Sequence, residues 1–319
     1  MKSDNKKTYL VTGGTGFIGS HMCEKLLSLE HKVICLDNLS TGSLDNISHL
    51  KDNINFVFIR GDANNFKDIK QIFENNKLDG VFHYAAVVGV KRTIEDPLSV
   101  LRDIDGVKNI LDLALQYGEP KVVFASSSEV YGEPVELPEK EDGILNCRMP
   151  YAVVKLLSEK FLETYYEKFG LKTCALRFFN VYGPRQESSD YGFVIGIFIK
   201  QVLRGQSPTI FGDGSQTRDF VFIDDNIEAG LRAMDSDLAN GQAINVGRGN
   251  PITISDLANK VIEAAGQKGK IEPKLIENDK NYIKHRVPDI SKMEGLLNFK
   301  PGTLLESGLE KTIAYYKKD

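Results

Sequence analysis

The 319-residue chain is short of cysteine, of long apolar runs and of basic excess. Four cysteines, Cys23, Cys35, Cys147 and Cys174, lie scattered with no CxxC pair. That excludes a disulfide framework in a chain of this length and predicts reduced, mostly buried thiols. No stretch approaches the ~20 consecutive apolar residues of a membrane span. The first residues, MKSDNKKTYL, hold no apolar signal core and run straight into a strand-like segment, so the expectation is a cytoplasmic protein with no membrane partner. Forty Lys and Arg stand against 44 Asp and Glu, a formal net charge of -4. This balance argues against a nucleic-acid binder, which would carry a basic face. The five histidines, His21, His31, His49, His83 and His285, are too dispersed for HExxH-type spacing, so no metal site is expected. Low-complexity tracts and internal repeats are absent as well.

What is present is an alternation of short apolar runs with longer amphipathic segments. Residues 8–12, 33–36, 55–60, 80–85, 121–126 and 172–178 read as strands. A helix follows the first strand as far as about Leu29, and two more are predicted over 97–117 and 151–169. In 97–117, Leu101, Ile104, Val107, Ile110, Leu111, Ala114 and Leu115 are spaced for one face. Strands apolar throughout and separated by helices predict a doubly wound parallel sheet covered on both sides. Beyond residue 180 the alternation loosens. Short strands near 219–223 and 243–246 alternate with helices near 225–234, 255–265 and 304–317, which suggests a smaller α/β part that partly returns to the main sheet.

The segment TGGTGFIGSH places Gly13, Gly16 and Gly19 between the first strand and its helix. A tight turn, close approach of a pyrophosphate to the backbone and close helix-to-strand packing each need a missing side chain. The helix N-terminus then offers free N–H groups to phosphate. Eighteen positions beyond Gly19, Asp37 ends the second strand. Its carboxylate can accept hydrogen bonds from an adenosine ribose and would repel a 2′-phosphate. Asn38, Leu39 and Ser40 follow, with no Arg or Lys to hold such a phosphate, so NAD is favoured over NADP. Asp62, in GDAN at 61–64, stands at the end of the third strand, as a ligand contact or as a helix cap.

Tyr151 and Lys155 form YAVVK behind Pro150, which suits a helix start, so the two side chains lie one turn apart on one face. A free phenol, with a pKa of about 10, is a poor base at neutral pH. A neighbouring ammonium and an oxidised nicotinamide would make it more acidic, and Tyr151 could then take a hydroxyl proton. The preceding strand ends in three serines. Ser127 is placed to hydrogen-bond a sugar hydroxyl, while Ser126 and Ser128 read equally as turn formers. Glu129, two positions on, either faces the same pocket or is a solvated loop acid.

TGGTGFIG, DNLSTG, HYAA, SSSEVYG, YAVVK, RFFNVYGPRQ and GDGSQTRDFVFIDD together resemble the extended short-chain dehydrogenase/reductases that modify nucleotide sugars. The resemblance runs from about residue 8 to the C-terminus. It implies a Rossmann-type NAD-binding domain over 1–179 with about 219–250, and a nucleotide-sugar-binding domain over 180–218 and 251–319. It implies that Gly13, Gly16, Phe17, Ile18, Gly19, Asp37, Asn38, Asp62 and Ala63 contact NAD, with Ala85 beside it. Ser127, Tyr151 and Lys155 would form the catalytic trio, Tyr151 and Lys155 also touching the cofactor. Asn180, Arg218 and Arg286 would hold the nucleotide diphosphate and Asp289 its ribose. Arg185, also in a motif-bearing loop, suits a diphosphate as well, because a guanidinium fork matches phosphate oxygens. The resemblance further implies a homodimer paired through the helices 97–117 and 151–169. Two positions depart from it: Asp103, where relatives often carry Asn, and Met149, where a Ser often stands.

The shared first step of such enzymes oxidises C4 of the sugar, and the fate of the 4-keto sugar decides the product. Glu129 discriminates, since simple 4-epimerases tend to be neutral there and 4,6-dehydratases and decarboxylases acidic. The sequence reading favours a 4,6-dehydratase with Glu129 acting at C5 and C6. A UDP-hexose 4-epimerase and a UDP-glucuronate decarboxylase stay open, as does a non-catalytic NAD-binding sensor or scaffold. Uracil is the favoured base.

Overall fold

The computed structural model describes residues 6–88, 93, 95–187, 192–277 and 283–318. The first half winds outward from its first strand, β1 (Thr8–Thr12). Helix α1 (Phe17–Ser28) returns to β2 (Lys32–Asp37), β3 (Phe56–Arg60) follows, and α2 (Phe66–Asn75) leads back across to β4 (Gly80–His83). Helices α3 (Pro97–Leu101) and α4 (Asp103–Gln116) precede β5 (Lys121–Ser127). Helix α5 (Pro150–Phe169) precedes β6 (Thr173–Phe178).

These strands and a late one, Gln242–Val246, make a seven-stranded sheet in which every pairing is parallel. The strand Gln242–Val246 closes the edge beside β6, and the order then runs β5, β4, β1, β2, β3. This is the Rossmann-type doubly wound arrangement, and the chain reverses direction between β1 and β4, where such sheets open a ligand crevice. The sequence shows why both faces are covered. Along β1, Tyr9 and Val11 enter one core and Leu10 the other, and all three are buried. A period of two with both phases apolar is what a sheet sandwiched between helices requires.

The expected single helix over 97–117 is two. At Arg102 the backbone bonds tighten to i,i-3, Arg102 N–H to Ser99 O and Asp105 N–H to Arg102 O, and α4 restarts with Asp103 buried at its first residue.

Past β6 the elements are short: β7 (Asn180–Tyr182), α6 (Val194–Leu203), β8 (Thr209–Phe211), β9 (Thr217–Arg218) and β10 (Phe220–Phe222). Next come α7 (Ile223–Asp235), the sheet-edge strand β11 (Gln242–Val246), β12 (Ile252–Thr253), α8 (Ile254–Ala264) and β13 (Lys274–Ile276). Helices α9 (Ser291–Leu297) and α10 (Leu305–Tyr316) end the described chain. The small strands pair as β7 with β10, β9 with β12 and β8 with β13. All four cysteines are free, three of them buried. Among the described residues, no helix is long and apolar enough to cross a membrane, and no three His, Cys, Asp or Glu side chains gather as a metal site.

Candidate active site

A cavity of about 420 Å³ opens at the carboxyl ends of the parallel strands, across the reversal point between β1 and β4. Its floor is the glycine turn. Gly13 has φ +67°, a conformation that disfavours side chains, and a Cβ on it would stand 2.8 Å from the backbone N of Ala85. A Cβ on Gly19 would stand 2.1 Å from the carbonyl oxygen of Gly13. Helix α1 therefore packs directly on the turn. No side chain caps its N-terminus, so its first-turn N–H groups are left for an anion. Phe17 and Ile18 line the cavity there.

Asp37 is buried at the end of β2. One of its oxygens accepts from Thr15 N–H at 3.0 Å and the other from Leu39 N–H at 2.8 Å. Each carboxylate oxygen has a second lone pair, so the group can still take a ribose hydroxyl. Asp62 accepts from Asn64 N–H at 2.9 Å and from the Asn38 amide at 3.2 Å. The helix cap is Asn65 instead. Ala63 and Ala85 also line the cavity, whose described wall carries two cations, Lys155 and Arg185, neither bonded to Asp37. Uncapped N–H groups, a side-chain-free turn and an acidic ribose acceptor fit NAD and leave no cation at Asp37 for a 2′-phosphate.

Pro150 occupies the first turn of α5 and sets Tyr151 and Lys155 into the cavity wall opposite this floor. The Tyr151 hydroxyl is hydrogen-bonded to the Ser127 side chain, and burial raises the phenol above its usual range. Lys155 is buried, its Nζ 5.6 Å from the Tyr151 ring centre and donating to the Ala125 carbonyl at 2.8 Å. Burial lowers the Lys155 ammonium to about 8, against the opposing pull of Asp103 and Glu159. Ser127 Oγ accepts from Glu129 N–H at 3.2 Å, which turns the chain so that Glu129 also lines the cavity, 42% exposed. Ser126 also lines the cavity, with its hydroxyl engaged on the far side. Its hydroxyl donates to Glu159, itself clamped by Arg177 through contacts of 2.8–3.2 Å. His83 packs at the end of β4 against Thr12 Oγ1 at 2.7 Å, held neutral by burial.

Asn180 and Arg185 reach the same cavity. Asn180 donates to the Asp219 carbonyl at 2.9 Å, and Arg185 pairs with Glu24 at 2.6 Å. Arg218, Arg286 and Asp289 lie outside its wall. Arg286 is 2% exposed and donates to the carbonyls of Ser128 and Gly132. Its guanidinium also lies 3.8 Å from Glu129 and 3.6 Å from Glu139. Arg218 donates to Thr217 O, and burial, with the nearby Arg286 charge, lowers its pKa below the usual guanidinium value. Asp289 accepts from Ser291 N–H at 2.8 Å. Glu139 stands close to this cluster as well. It is buried, its Oε2 accepts from Val287 N–H at 3.0 Å, and its Oε1 has no hydrogen-bond partner among the described residues. Nothing in the local pattern PEKED marks it, because its partners lie some 150 residues away along the chain.

Residues 9–247 match the NAD dependent epimerase/dehydratase family. The chain is 36% identical to the UDP-N-acetyl-alpha-D-glucosaminuronate decarboxylase of Bacillus cytotoxicus, over 98% of both proteins. The fold superimposes on the UDP-glucose 4-epimerase of Thermotoga maritima with a TM-score of 0.91 at 34% identity, covering 98% of this chain and 99% of that one. It superimposes equally widely, at 32% identity and a TM-score of 0.88, on a UDP-glucuronic acid 4-epimerase variant from Bacillus cereus in complex with UDP-4-deoxy-4-fluoro-glucuronic acid and NAD. With this extent of match, a nucleotide cradle and an intact Ser-Tyr-Lys set, the chain belongs to the NAD dependent epimerase/dehydratase family of nucleotide-sugar enzymes.

Proposed function

We propose that this enzyme decarboxylates a UDP-linked hexuronic acid through a 4-keto sugar. The Gly13–Gly19 turn and Asp37 would hold NAD, which when bound would supply reversible hydride transfer at C4. Ser127 and Tyr151 hydrogen-bond the C4 hydroxyl, and Tyr151 takes its proton while the Lys155 cation stabilises the phenolate. The C4 ketone makes the C6 carboxylate a β-keto acid. The C5–C6 bond then breaks, carbon dioxide leaves, and the electron pair passes into an enolate whose oxygen stays hydrogen-bonded to Ser127 and Tyr151. One proton must then reach C5.

The observation that carries this reading is the single carboxyl at the end of β5. Dehydration needs a base for the C5 proton and an acid for the C6 hydroxyl. Decarboxylation needs one donor. Glu129 lines the cavity, and the preceding position there offers only the hydroxyl of the buried Ser128, not a second carboxyl. Arg286, 3.8 Å from Glu129, offsets the charge that a uronate would bring against it. This replaces the dehydration favoured by the sequence alone, and the likeness to a glucosaminuronate decarboxylase supports the change. A second reading, 4-epimerisation of the same uronate, is supported by the likeness to the UDP-glucuronic acid 4-epimerase. Asn180 and Arg185, which line the cavity, hold the nucleotide diphosphate in either case, with Arg218, Arg286 and Asp289 standing beyond the wall, Arg286 beside Glu129. In the same reading the protein is a homodimer. Leu98, Leu101, Val153 and Leu157 lie exposed on α3 and α5, the helices that the resemblance assigns to subunit pairing.

Incubation with UDP-glucuronic acid, UDP-N-acetylglucosaminuronic acid, UDP-glucose and UDP-N-acetylglucosamine, followed by mass spectrometry, tests the proposal. Loss of carbon dioxide from a uronate is the expected result. Loss of water would restore dehydration, and a new isomer of unchanged mass would establish epimerisation.

A further inference from the structure

Helix α4 begins with a buried acid in the wall of the active-site cavity. Asp103 is 9% exposed and lines the same cavity as Tyr151 and Lys155. Its carboxylate accepts from Val87 N–H at 2.8 Å and is hydrogen-bonded to Asn64. It is therefore fixed between the segment after β4 and the loop after β3. An amide here would keep an acceptor oxygen for Val87 N–H, and the Asn64 amide can turn to pair with its NH2, so hydrogen bonding alone does not require the charge. Ionising a carboxyl there is opposed by burial, which lifts it above its usual range, and by the nearby charge of Asp62. The Lys155 ammonium is the leading influence favouring the charged form.

We propose that Asp103 is a positioning residue that sets the charge balance of the Tyr151–Lys155 pair. The inference rests on the reading of that pair as the proton-handling group. A fixed negative charge acts on both members in the same sense: it keeps the ammonium protonated, and it makes the phenol harder to ionise. Asp103 thereby holds Lys155 as a cation against burial and ties phenolate formation to the arrival of positive charge in the cavity. The other groups around the pair are Glu159 on α5, paired with Arg177 on β6, Glu129 after β5 and neutral His83 at the end of β4. Arg177 neutralises Glu159, and Glu129 is 42% exposed. Asp103 is thus the buried acid near Lys155 without an arginine partner among the described residues.

The test separates charge from shape. Asp103→Asn keeps an acceptor for Val87 N–H and removes the charge, and Asp103→Glu restores it. In protein labelled with carbon-13 at the lysine Cε, without substrate, the Lys155 resonance is assigned by its loss in Lys155→Arg and followed against pH. The expected result is a titration midpoint lower by roughly one pH unit in Asp103→Asn, with Asp103→Glu returning toward wild type. In turnover, both limbs of the pH profile of Asp103→Asn move toward acid together. An unmoved Lys155 midpoint overturns the inference. So does a Glu variant that behaves like the Asn variant, or a shifted midpoint with both kinetic limbs in place. The NMR titration needs no sugar nucleotide, so failure of every UDP-sugar to turn over sinks the proposed function and is told apart from failure here.

Discussion

The two ends of the cavity are built from different material. The cofactor end is mostly backbone: a turn of glycines, an uncapped helix terminus and one carboxylate held by two backbone N–H groups. The other end is side-chain charge. Glu129 lines it and is backed, beyond the wall, by Arg286, Glu139 and Arg218, and behind them Arg177 clamps Glu159 while donating to the Tyr131 hydroxyl at 2.8 Å. Backbone geometry tolerates no added atoms yet depends little on pH. A charge cluster accepts changes of shape but is sensitive to every proton. The first is suited to an invariant ligand, the second to a reaction that differs from relative to relative.

Tyr151→Phe tests the chemistry lying between the two ends and has the largest expected effect. Turnover should fall by roughly 10²- to 10⁴-fold while NAD still binds, and a near-normal rate would remove Tyr151 as the base. At the charged end, Arg177→Ala leaves Glu159 buried without its partner. A loss of about 3–5 kcal/mol in denaturant unfolding is expected, and a smaller loss would mean that water reaches Glu159.

Gly19→Ala should strain the cofactor end by on the order of 1–3 kcal/mol, because the new methyl meets the Gly13 carbonyl. Titration with NAD, monitored by thermal stabilisation, should show weakened binding. Unchanged affinity would break the contrast drawn above.

Glu139→Gln gives the most pH-dependent change. Burial raises the Glu139 carboxyl from 4.5 to about 7, against the opposing effect of Arg286. Below pH 4.5 it is protonated in both folded and unfolded chains. As pH rises toward 7 the unfolded chain ionises first, so wild-type stability declines across that window. The Gln variant should lack this decline and exceed wild type at pH 8 by on the order of 2 kcal/mol. Melting curves recorded from pH 4 to 8 would show the two proteins converging at the acid end.

The same division separates what was legible from what was not. The parallel sheet, the glycine turn, Asp37 and the Tyr151–Lys155 pair all follow from local spacing, since a strand, a tight turn and one helical turn are short-range objects. The helix Val194–Leu203 escaped because VIGIFIKQVL is apolar nearly throughout and shows no polar face to reveal its period. The break at Arg102 escaped because the apolar spacing continues across it. The surroundings of Arg286, two carbonyls and two glutamates, were not legible because they come from distant parts of the chain.

The order of residues along the chain was enough to determine the sheet, the glycine turn and the placing of Tyr151 and Lys155 one helical turn apart, because each depends on neighbours within a turn or a strand. Tertiary structure alone decided that Asp103 stands beside Lys155 and that Glu139 meets Arg286. Long-range electrostatics depends on distance and burial, and neither is set until the loops have closed over one another.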